Sequence, residues 1–275
     1  MIDALKDSSS VSRVASTLGF RRNTYYSRKA GNRPEEKERA IASLLRQTSS
    51  TFIAWGFWLI FYYLRNQGHT FNHKLAHRLW VQEGLHLRVV PKRARLHRQY
   101  LDMLAPEQVN QGWAMDFLSD WVVGPDGEKV RIINIMDECS RRALWTEAHK
   151  NITADTLVGI LEKVAEWRGL PAYIRCDNGP EFISDALSKW AKEKTEIKHI
   201  QPGKPSQNGL MERLNKTLRT ECLNLEWFKS IEELNQKIQD WSVTYNYSRP
   251  HGALKYKSPC TFEKTREFYL KTAAA

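Results

Sequence analysis

The fold is decided by residues 113–137, which read WAMDFLSDWVVGPDGEKVRIINIMD. Two alternating runs rich in β-branched and aromatic residues, Trp113–Val123 and Lys129–Asp137, flank the turn sequence Gly124-Pro-Asp-Gly127. Alternation of apolar and polar residues is typical of a strand that buries one face, and Gly and Pro between two such runs favour a reversal of the chain. The sequence therefore predicts a β-hairpin.

Shorter elements follow the hairpin. Arg142–Ala148 predicts a third strand, and Thr153 is placed to cap a helix whose apolar residues recur at helical spacing through Trp167. The remaining elements are predicted as strands at Ala172–Cys176 and Ile197–Ile200 and as helices at Pro180–Lys192, Gln207–Cys222 and Ile231–Tyr247. Three antiparallel strands followed by alternating helices and strands indicate an α/β fold, a mixed sheet flanked by helices.

The amino-terminal part is predicted to be a small all-α region. Its helices are predicted over Ser8–Leu18, Arg21–Arg28, Pro34–Gln47, Phe52–Leu64 and Asn72–Glu83. Because a turn at Gly19 joins the first two, they are consistent with a helix-turn-helix fragment, and Asn72 is a suitable N-cap for the last. The basic segment 86–98, interrupted by Pro91, indicates a linker that can follow a phosphate backbone.

Positive charge is distributed unevenly along the chain. The formal net charge is +11, and residues 1–112 contribute 18 Lys and Arg against 8 Asp and Glu, a net of +10. Residues 113–275 contain 24 against 23 and are close to neutral. A basic region joined to a carboxylate-rich one is typical of a protein that binds a polyanion and holds metal ions. The alternative is a solvated basic face that only aids solubility.

The sequence argues against a secreted or membrane-spanning protein. The four cysteines are scattered and form no C-x-x-C pair, so we expect neither a disulfide framework nor a thiolate zinc site, and a reducing cytoplasm fits. Met1–Ser10 has no apolar core, so no signal peptide is expected. The uncharged run Phe52–Leu64 is shorter than the ~20 residues that span a bilayer, and we expect it to form a helix buried in a core.

Three carboxylates, Asp116, Asp177 and Glu212, stand where a carboxylate is unusual. Asp116 lies inside an aromatic and apolar strand, Asp177 ends a strand before a turn, and Glu212 is flanked by apolar residues in a helix. Carboxylates are rarely buried unless they are paired or bind a metal. Oxygen ligands without His or Cys suit Mg²⁺ or Mn²⁺, and two such ions about 3.5–4 Å apart would activate a water or a 3′-hydroxyl and stabilise the leaving oxygen. The spacing alone is equally compatible with three unrelated acids.

Several motifs match a known family in order and spacing. They are Trp113-Ala-Met-Asp116-Phe, Asp137-Glu-Cys-Ser140-Arg, Arg175-Cys-Asp177-Asn-Gly-Pro-Glu-Phe182, Gln201-Pro-Gly-Lys-Pro-Ser-Gln-Asn208, Glu212-Arg-Leu-Asn215 and Tyr245-Asn-Tyr-Ser-Arg-Pro-His-Gly-Ala-Leu254. The stretch from Trp113 to about Pro259 resembles the integrase catalytic core of transposases of the insertion sequence three family, specifically OrfB, the product of their second reading frame. That family is related to retroviral integrases.

The resemblance implies an RNase-H-like fold with a D,D,E triad, carried onto Asp116, Asp177 and Glu212, that binds two Mg²⁺ or Mn²⁺ ions. It implies a DNA transposase that cleaves element ends with water and then joins the freed 3′-hydroxyl to target DNA, without a covalent enzyme–DNA intermediate. The implied partners are element-end and target DNA, a homo-oligomer formed on DNA, and the upstream-frame protein OrfA, separate or fused. The expected location is the bacterial cytoplasm, associated with the nucleoid, and no membrane is expected.

Basic residues are expected to contact DNA phosphates. The resemblance implies a cation seven positions after the triad glutamate, which is Arg219, and Lys216 can share the helix face of both residues. The other candidates are Arg213, Lys204, Lys92, Arg93 and Arg95. A surface pair between Lys216 and Glu212 is the alternative role for that lysine.

The predicted domains are a helical, DNA-binding-like region at 1–85, a basic linker at 86–112, the RNase-H-like core at 113–260 and a carboxy-terminal tail at 261–275. Two rival functions are compatible with the same regions. One is a non-catalytic DNA-binding remnant that regulates its element. The other is a nuclease of the same fold that hydrolyses DNA without joining strands.

Further residues carry weaker expectations. Asp120 shares the strand face of Asp116 and is an alternative first ligand, whereas Asp137 is expected to cap the turn before the third strand. Glu181 is expected to stabilise a helix N-terminus. Core positions are expected for Trp190, Trp227 and Trp241, and zinc binding is not expected at His69, His73 and His77, which have no cysteine nearby.

Overall fold

The computed structural model describes residues 35–87, 106–123, 127–201 and 208–273, together with Arg13, Ser16, Thr17 and Gly19. The predicted helix-turn-helix fragment over residues 8–28 otherwise lies outside the described residues, as does most of the basic linker. The chain divides into two units. One is built from Met1–Phe52 and Phe71–His86, and the other from Ile53–Thr70 and Leu87–Ala275.

In the described chain three helices precede three strands, helices and strands then alternate, and three helices follow the last strand. The helices are α1 (Glu35–Thr51), α2 (Phe57–Asn66), α3 (His73–Gln82), α4 (Ala154–Arg168), α5 (Asp185–Ala191), α6 (Gly209–Leu218), α7 (Ile231–Val243) and α8 (Pro259–Ala273). The strands are β1 (Gly112–Val122), β2 (Glu128–Asp137), β3 (Ala143–His149), β4 (Tyr173–Cys176) and β5 (Glu196–His199). Two π-helical segments, π1 (Arg219–Leu223) and π2 (Thr244–Ser248), continue α6 and α7, and a 3-10 turn spans Gly252–Leu254.

The first unit is held together by α1 and α3. Arg78 of α3 donates a hydrogen bond to Glu38 of α1 at 2.7 Å. The buried apolar residues of the two helices are Ile41, Ala42, Leu45, Ala76, Leu79 and Trp80. Asn72 accepts a hydrogen bond from the Lys74 N–H at 2.8 Å, so its prediction as the N-cap of α3 is confirmed.

The apolar run predicted as a helix over Phe52–Leu64 forms a shorter helix, α2, in the second unit. Its buried residues recur at helical spacing and are Phe57, Ile60, Phe61 and Leu64. Tyr62 stacks on Tyr256 with 3.6 Å between ring centroids, and Asn66 Nδ2 donates to the Tyr256 carbonyl at 2.9 Å. The prediction of a helix buried in a core is confirmed. Across the described ranges, no helix is both long enough and apolar enough to cross a membrane.

A five-stranded mixed sheet with strand order β3-β2-β1-β4-β5 forms the centre of the second unit. β1 pairs antiparallel with β2 from Trp113↔Asp137 to Val122↔Glu128, and β2 pairs antiparallel with β3. β4 runs parallel to β1 on its other side, and β5 runs parallel to β4. The predicted hairpin and mixed sheet are confirmed, and the ends of β1 and β2 lie within one residue of the prediction.

Helices cover both faces of the sheet because strand residues alternate between the faces. On β1, Trp113 and Met115 point to the core completed by α4 and α5, whereas Ala114 points to the core completed by α6 and α7. Thr153 caps α4, as predicted. Asp116 follows Ala114 by two residues, so it lies on the α6 side of the sheet.

The helix predicted over Pro180–Lys192 begins later than expected. α5 begins at Asp185, where Ser184 accepts a hydrogen bond from the Leu187 N–H at 3.3 Å. Residues 179–183 instead form a turn closed by backbone hydrogen bonds to the carbonyl of the first of them. The turn keeps this segment close to the end of β4.

The carboxy-terminal segment, for which no helix was predicted, contains α8. Glu263 of α8 is 4% exposed and forms ion pairs with Arg142, at 2.8 Å, and with Arg168. The helix begins at Pro259, a position where the missing N–H of proline has no intrahelical partner to lose. α8 is therefore a packed part of the second unit, anchored by a buried carboxylate between two guanidinium groups.

Candidate active site

Asp116 lies on the central strand, β1, directly opposite Asn134 of β2. Its Oδ1 accepts a hydrogen bond from the Phe117 N–H at 2.9 Å, and its Oδ2 accepts one from the Asn215 side chain of α6 at 2.9 Å. Burial, and after it the negative charge of Asp177, raise the pKa of Asp116 to about 6, although the hydrogen bonds act in the opposite direction. The carboxylate is therefore held where its own charge is disfavoured.

Asp177 directly follows β4, the strand that runs parallel to β1. Its Oδ1 accepts a hydrogen bond from the Gly179 N–H at 2.9 Å. A Cβ at position 179 would lie 3.1 Å from that oxygen, so a glycine lets the turn close tightly against the carboxylate. The two adjacent strands thus bring Asp116 and Asp177 close enough to repel each other.

Glu212 lies in the first turn of α6 with an exposed side chain. Asn215, three residues after it, donates a hydrogen bond to the Asp116 side chain, and Asn208, four residues before it, lies close enough to lower the pKa of Asp116. Because positions i, i+4 and i+7 share a helix face, Glu212 stands on the face that contacts Asp116. Within the described ranges, no group of three or more His, Cys, Asp and Glu side chains is arranged to hold a metal ion. The structure brings Asp116 and Asp177 together and leaves the Glu212 carboxylate at the surface of the helix beside them.

Two asparagines to which the sequence analysis assigned no role complete the site. Asn134 is fully buried on β2 and donates to Asn215 Oδ1 at 2.8 Å, while Asn215 in turn donates to Asp116. The Oδ1 of Asn134 has no hydrogen-bond partner in the described part of the chain. One sequence signal could have found this residue: an amide in the middle of an apolar strand, at the position that a hairpin register sets opposite Asp116.

Comparison with known proteins gives this arrangement a family. The model of the integrase core domain family matches residues 106–205, and a second integrase core domain model matches residues 193–259. The uncharacterized 31.7 kDa protein of insertion element IS407 from Burkholderia multivorans is 31% identical over 231 residues, which cover 84% of this chain and 83% of that protein. The chain belongs to the insertion sequence three family of transposases.

Two further relatives are similar over most of the transposase. The uncharacterized 39.2 kDa protein of insertion element IS476 from Xanthomonas euvesicatoria is 31% identical and covers 83% of this chain and 66% of that protein. The transposase InsD for insertion element IS2A/D/F/H/I/K from Escherichia coli is 24% identical over 206 residues, which cover 71% of this chain and 67% of that protein. The chain is a DNA transposase of the D,D,E type, and its mixed sheet is the RNase-H-like integrase core. The predictions of family, fold class and function are confirmed.

The basic residues predicted to contact DNA are only partly described. In the transposase, Arg213 and Lys216 are exposed on α6. Arg219 donates to the Ser119 carbonyl at 2.9 Å and lies 3.8 Å from Asp120, so it contacts β1. The other candidates, Lys204, Lys92, Arg93 and Arg95, lie outside the described residues.

The acids that carried weaker expectations have structural partners in the transposase. Asp137 accepts hydrogen bonds from the Cys139 and Ser140 N–H groups at 3.0 and 2.7 Å, so its prediction as a turn cap is confirmed. Glu181 forms an ion pair with Arg131. Its predicted role at a helix N-terminus is wrong, because α5 begins four residues further along the chain.

The tryptophans predicted in the core differ in their exposure. Trp190 and Trp241 are buried, as predicted. Trp227 is 82% exposed, because it lies in the connection between π1 and α7 rather than in a packed element. Trp167, which the helical spacing placed on the buried face of α4, is 47% exposed, and the guanidinium of Arg142 lies 5.2 Å from its ring. Apolar character alone did not predict these two positions.

Proposed function

We propose that Asp116, Asp177 and Glu212 hold two divalent cations, Mg²⁺ or Mn²⁺, with which the transposase cleaves element ends and joins them to target DNA. The observation that carries this proposal is the pair of aspartates on adjacent strands. Burial and the charge of Asp177 raise the pKa of Asp116 to about 6, so the pair is destabilised when both carboxyl groups are ionised. This repulsion is offset when a cation binds between them.

The donor set fits hard divalent cations. Carboxylate oxygens without an adjacent His or Cys are the ligands that Mg²⁺ and Mn²⁺ prefer. Glu212 is exposed, so its side chain is free to turn toward Asp116 from a helix face that already contacts it. Asp120 is a poorer candidate for the first ligand, because it lies beside the guanidinium of Arg219.

Residues around the triad hold and orient the reacting groups. When bound, the cations supply activation of an attacking water or 3′-hydroxyl and stabilisation of the leaving oxygen. Asn215 fixes the Asp116 carboxylate through a hydrogen bond, and the buried Asn134 fixes Asn215 in turn. Arg213 and Lys216, exposed on the same helix, are positioned to contact substrate phosphates.

Both chemical steps use the same site. Water attacks the phosphodiester at the element end, and the P–O bond to the 3′ oxygen breaks and frees a 3′-hydroxyl. That hydroxyl then attacks a target phosphodiester, so that one P–O bond forms as another breaks. Because the nucleophiles are water and a DNA hydroxyl, no covalent enzyme–DNA intermediate is needed.

The proposed assembly is a homo-oligomer on element-end and target DNA, working with the upstream-frame protein OrfA or fused to it, at the bacterial nucleoid. The net charge of +10 over residues 1–112 supports the proposal that this part supplies most of the DNA affinity.

We propose residues 113–260 as the catalytic core. The contacts of Glu263 and Tyr256 attach α8 and α2 to it.

Strand transfer with the element's own ends, with and without Mg²⁺, tests the proposal. The variants Asp116→Asn, Asp177→Asn and Glu212→Gln keep the side-chain shape but remove the charge, so each should abolish cleavage and joining together. DNA binding should survive, because basic residues elsewhere carry it. Asp120→Asn is the matched control and should stay active. Near-normal strand transfer by any triad variant would contradict the mechanism, and hydrolysis without joining would identify a nuclease instead.

A further inference from the structure

Arg141 is a half-buried arginine whose hydrogen bonds are incomplete. Its guanidinium Nη1 is buried and has no hydrogen-bond partner among the described residues. Its backbone has a φ of 63°, in the left-handed region that residues other than glycine rarely occupy. Unsatisfied buried polar atoms and strained backbone are both unfavourable, and both concentrate at functional sites. Arg141 therefore has the features of a residue whose hydrogen bonds are completed by a bound ligand.

The turn that presents Arg141 is fixed from two sides. The Arg141 N–H donates to the Asp137 carbonyl at 2.9 Å, and the Asp137 side chain accepts from the Ser140 N–H at 2.7 Å. From π2, the Asn246 side chain both accepts from the Ala143 N–H and donates to the Ala143 carbonyl, each at 2.9 Å. The backbone that carries the guanidinium is thus set by the fold.

Two further arginines belong to the segments that pack against Tyr245 or lie next to it, and we call Arg141, Arg213 and Arg249 the arginine cluster. The Arg249 guanidinium carbon lies 5.9 Å from the centroid of the Tyr245 ring. Asn246, next to Tyr245, accepts a hydrogen bond from Ala143, two residues after Arg141. Tyr245 also packs in one core with Met211 and Leu214, which flank Arg213 on α6. The positive charges of all three arginines act against the rise that burial causes in the pKa of Tyr245. Arg249 is neutralised by Glu221 of π1 at 2.8 Å. Arg213 is exposed and makes no ion pair within the described ranges. Glu221 lies in π1 and Tyr245 lies in π2, so two π-helical segments border the arginine cluster. Such segments are frequent at functional sites.

The acids nearest the cluster already have partners. Glu138 accepts hydrogen bonds from Arg175 Nε at 2.7 Å and from the Tyr173 hydroxyl at 2.6 Å. A second incomplete polar atom lies close by: His251 Nε2 is buried without a hydrogen-bond partner in the described part of the chain, and its ring is 4.7 Å from that of Tyr245. The cluster thus combines two arginines that form no ion pair within the described residues with a buried imidazole nitrogen that lacks a hydrogen-bond partner there.

We propose that the arginine cluster binds a phosphate of the DNA backbone outside the metal-binding triad. A guanidinium binds phosphate through paired N–H donors, which matches arginines whose donors are unused. Arg213 follows Glu212 directly, and the Arg141 turn begins at Asp137, three ladder pairs from Asp116, or about 10 Å.

This inference rests on the proposed function, because it takes DNA as the source of the phosphate. It is tested without catalysis, by measuring DNA binding in the presence of a metal chelator. The probes are a short duplex of arbitrary sequence, titrated over a range of salt concentrations, and inorganic phosphate. Arg141→Asn removes the charge but keeps a residue that tolerates left-handed backbone. It should weaken duplex binding about tenfold and reduce the salt slope by about one, while Tm stays the same or rises.

Arg142 provides the matched control, because its guanidinium is bound by the buried Glu263 at 2.8 Å. Arg142→Gln removes the same charge but breaks a buried pair, so it should lower Tm and leave the salt slope unchanged. Arg213→Gln lies on the exposed surface of α6 and should reduce the salt slope by about one without lowering Tm. An unchanged slope in this variant would exclude Arg213 from the phosphate site even if Arg141→Asn does not fold.

An unchanged salt slope in folded Arg141→Asn or in Arg213→Gln would overturn the proposal. A rise in Tm with inorganic phosphate that the duplex does not reproduce would also overturn it, because the site would then take free phosphate rather than DNA. Triad variants keep the arginine cluster, so they should bind the duplex with the wild-type slope. Failure of this site and failure of metal-dependent cleavage are therefore distinguishable.

Discussion

The two sides of the active site are built in different ways. On the sheet side, Asp116 lies on β1 and Asp177 directly follows the adjacent strand β4, and backbone N–H groups donate to their carboxylates at 2.9 Å. On the helix side, Glu212 is exposed on α6, and its carboxylate has no hydrogen-bond or ion-pair partner within the described residues. On the sheet side, burial disfavours the charge of Asp116, whereas on the helix side the carboxylate of Glu212 is exposed to water.

Strand pairing and helix placement therefore contribute separately to the site. Strand pairing positions two carboxylates rigidly, at the expense of their mutual repulsion. The helix supplies a third carboxylate that is free to join when a bound cation offsets that repulsion. The three acids should therefore respond differently when pH, metal concentration or neighbouring residues are changed.

The largest expected difference is in the pH dependence of stability without metal. The pKa of Asp116 is raised from its ordinary value of 3.8 to about 6, so its contribution to stability is fully present below the lower value and is lost as pH rises through the upper one. The loss is on the order of 3 kcal/mol. Asp116→Asn removes it, so the variant should resist urea better than the wild type at neutral pH.

The control for this experiment is Glu212→Gln, because the glutamate is exposed. Its free energy of unfolding should fall between about pH 4 and pH 6 as the wild-type value does. If the free energy of unfolding of Asp116→Asn fell over this pH range as steeply as that of the wild type, the Asp116 carboxyl group would not be the source of the pH dependence.

The second effect is stabilisation by metal. An ion that binds only the folded chain raises the free energy of unfolding by about 2.7 kcal/mol at a roughly hundredfold excess over Kd. Thermal unfolding in increasing Mg²⁺ should show this effect in the wild type, a reduced effect in Glu212→Gln, and none in Asp116→Asn or Asp177→Asn. Equal stabilisation of all four proteins would place the ion elsewhere.

A smaller effect is expected from the amide that links the two sides. Asn215 donates to Asp116 and accepts from the buried Asn134, and its hydrogen bond lowers the pKa of Asp116. Asn215→Ala should therefore cost about 1–2 kcal/mol of stability and move the acidic limb of the cleavage pH profile to higher pH. The exposed Asn224, changed to Ala, should alter neither quantity. Lower stability with an unmoved acidic limb would limit Asn215 to a structural role.

The smallest effect is expected at Asp120, which shares a strand face with Asp116 but lies 3.8 Å from Arg219. A partly exposed pair of this kind contributes roughly 0–1 kcal/mol. Asp120→Asn should therefore stay within that range of wild-type stability and retain strand transfer. Loss of strand transfer in this variant, with activity kept in Asp116→Asn, would show that the first ligand is Asp120.

The sequence predicts the fold where its signals are local. The ends of β1 and β2 and the caps Asn72 and Thr153 were predicted correctly, because alternation, turn residues and capping side chains act within a few positions. The packing of α8 was not predicted. Its buried Glu263 is held by Arg142 and Arg168, which are 121 and 95 positions earlier in the chain and leave no local pattern.

The candidate site shows the same limit. Strand patterns marked Asp116 and Asp177 as unusual carboxylates but left open whether they were unrelated acids. The hydrogen bond between Asn134 and Asn215 joins residues 81 positions apart and leaves no local pattern. Helical periodicity assigns Glu212 to a face but does not give its exposure. Glu212 is flanked by apolar residues in the sequence, yet its side chain is exposed in the structure.

The position of a bound metal ion distinguishes the proposed ligands from any other set of residues. Crystals of the full chain soaked in Mn²⁺ would locate the ion by its anomalous scattering. We predict anomalous peaks at the carboxylates of Asp116 and Asp177, with Glu212 turned in from α6 to complete the ligand set. Mn²⁺ bound only by other residues, with no peak at these aspartates, would contradict the assignment.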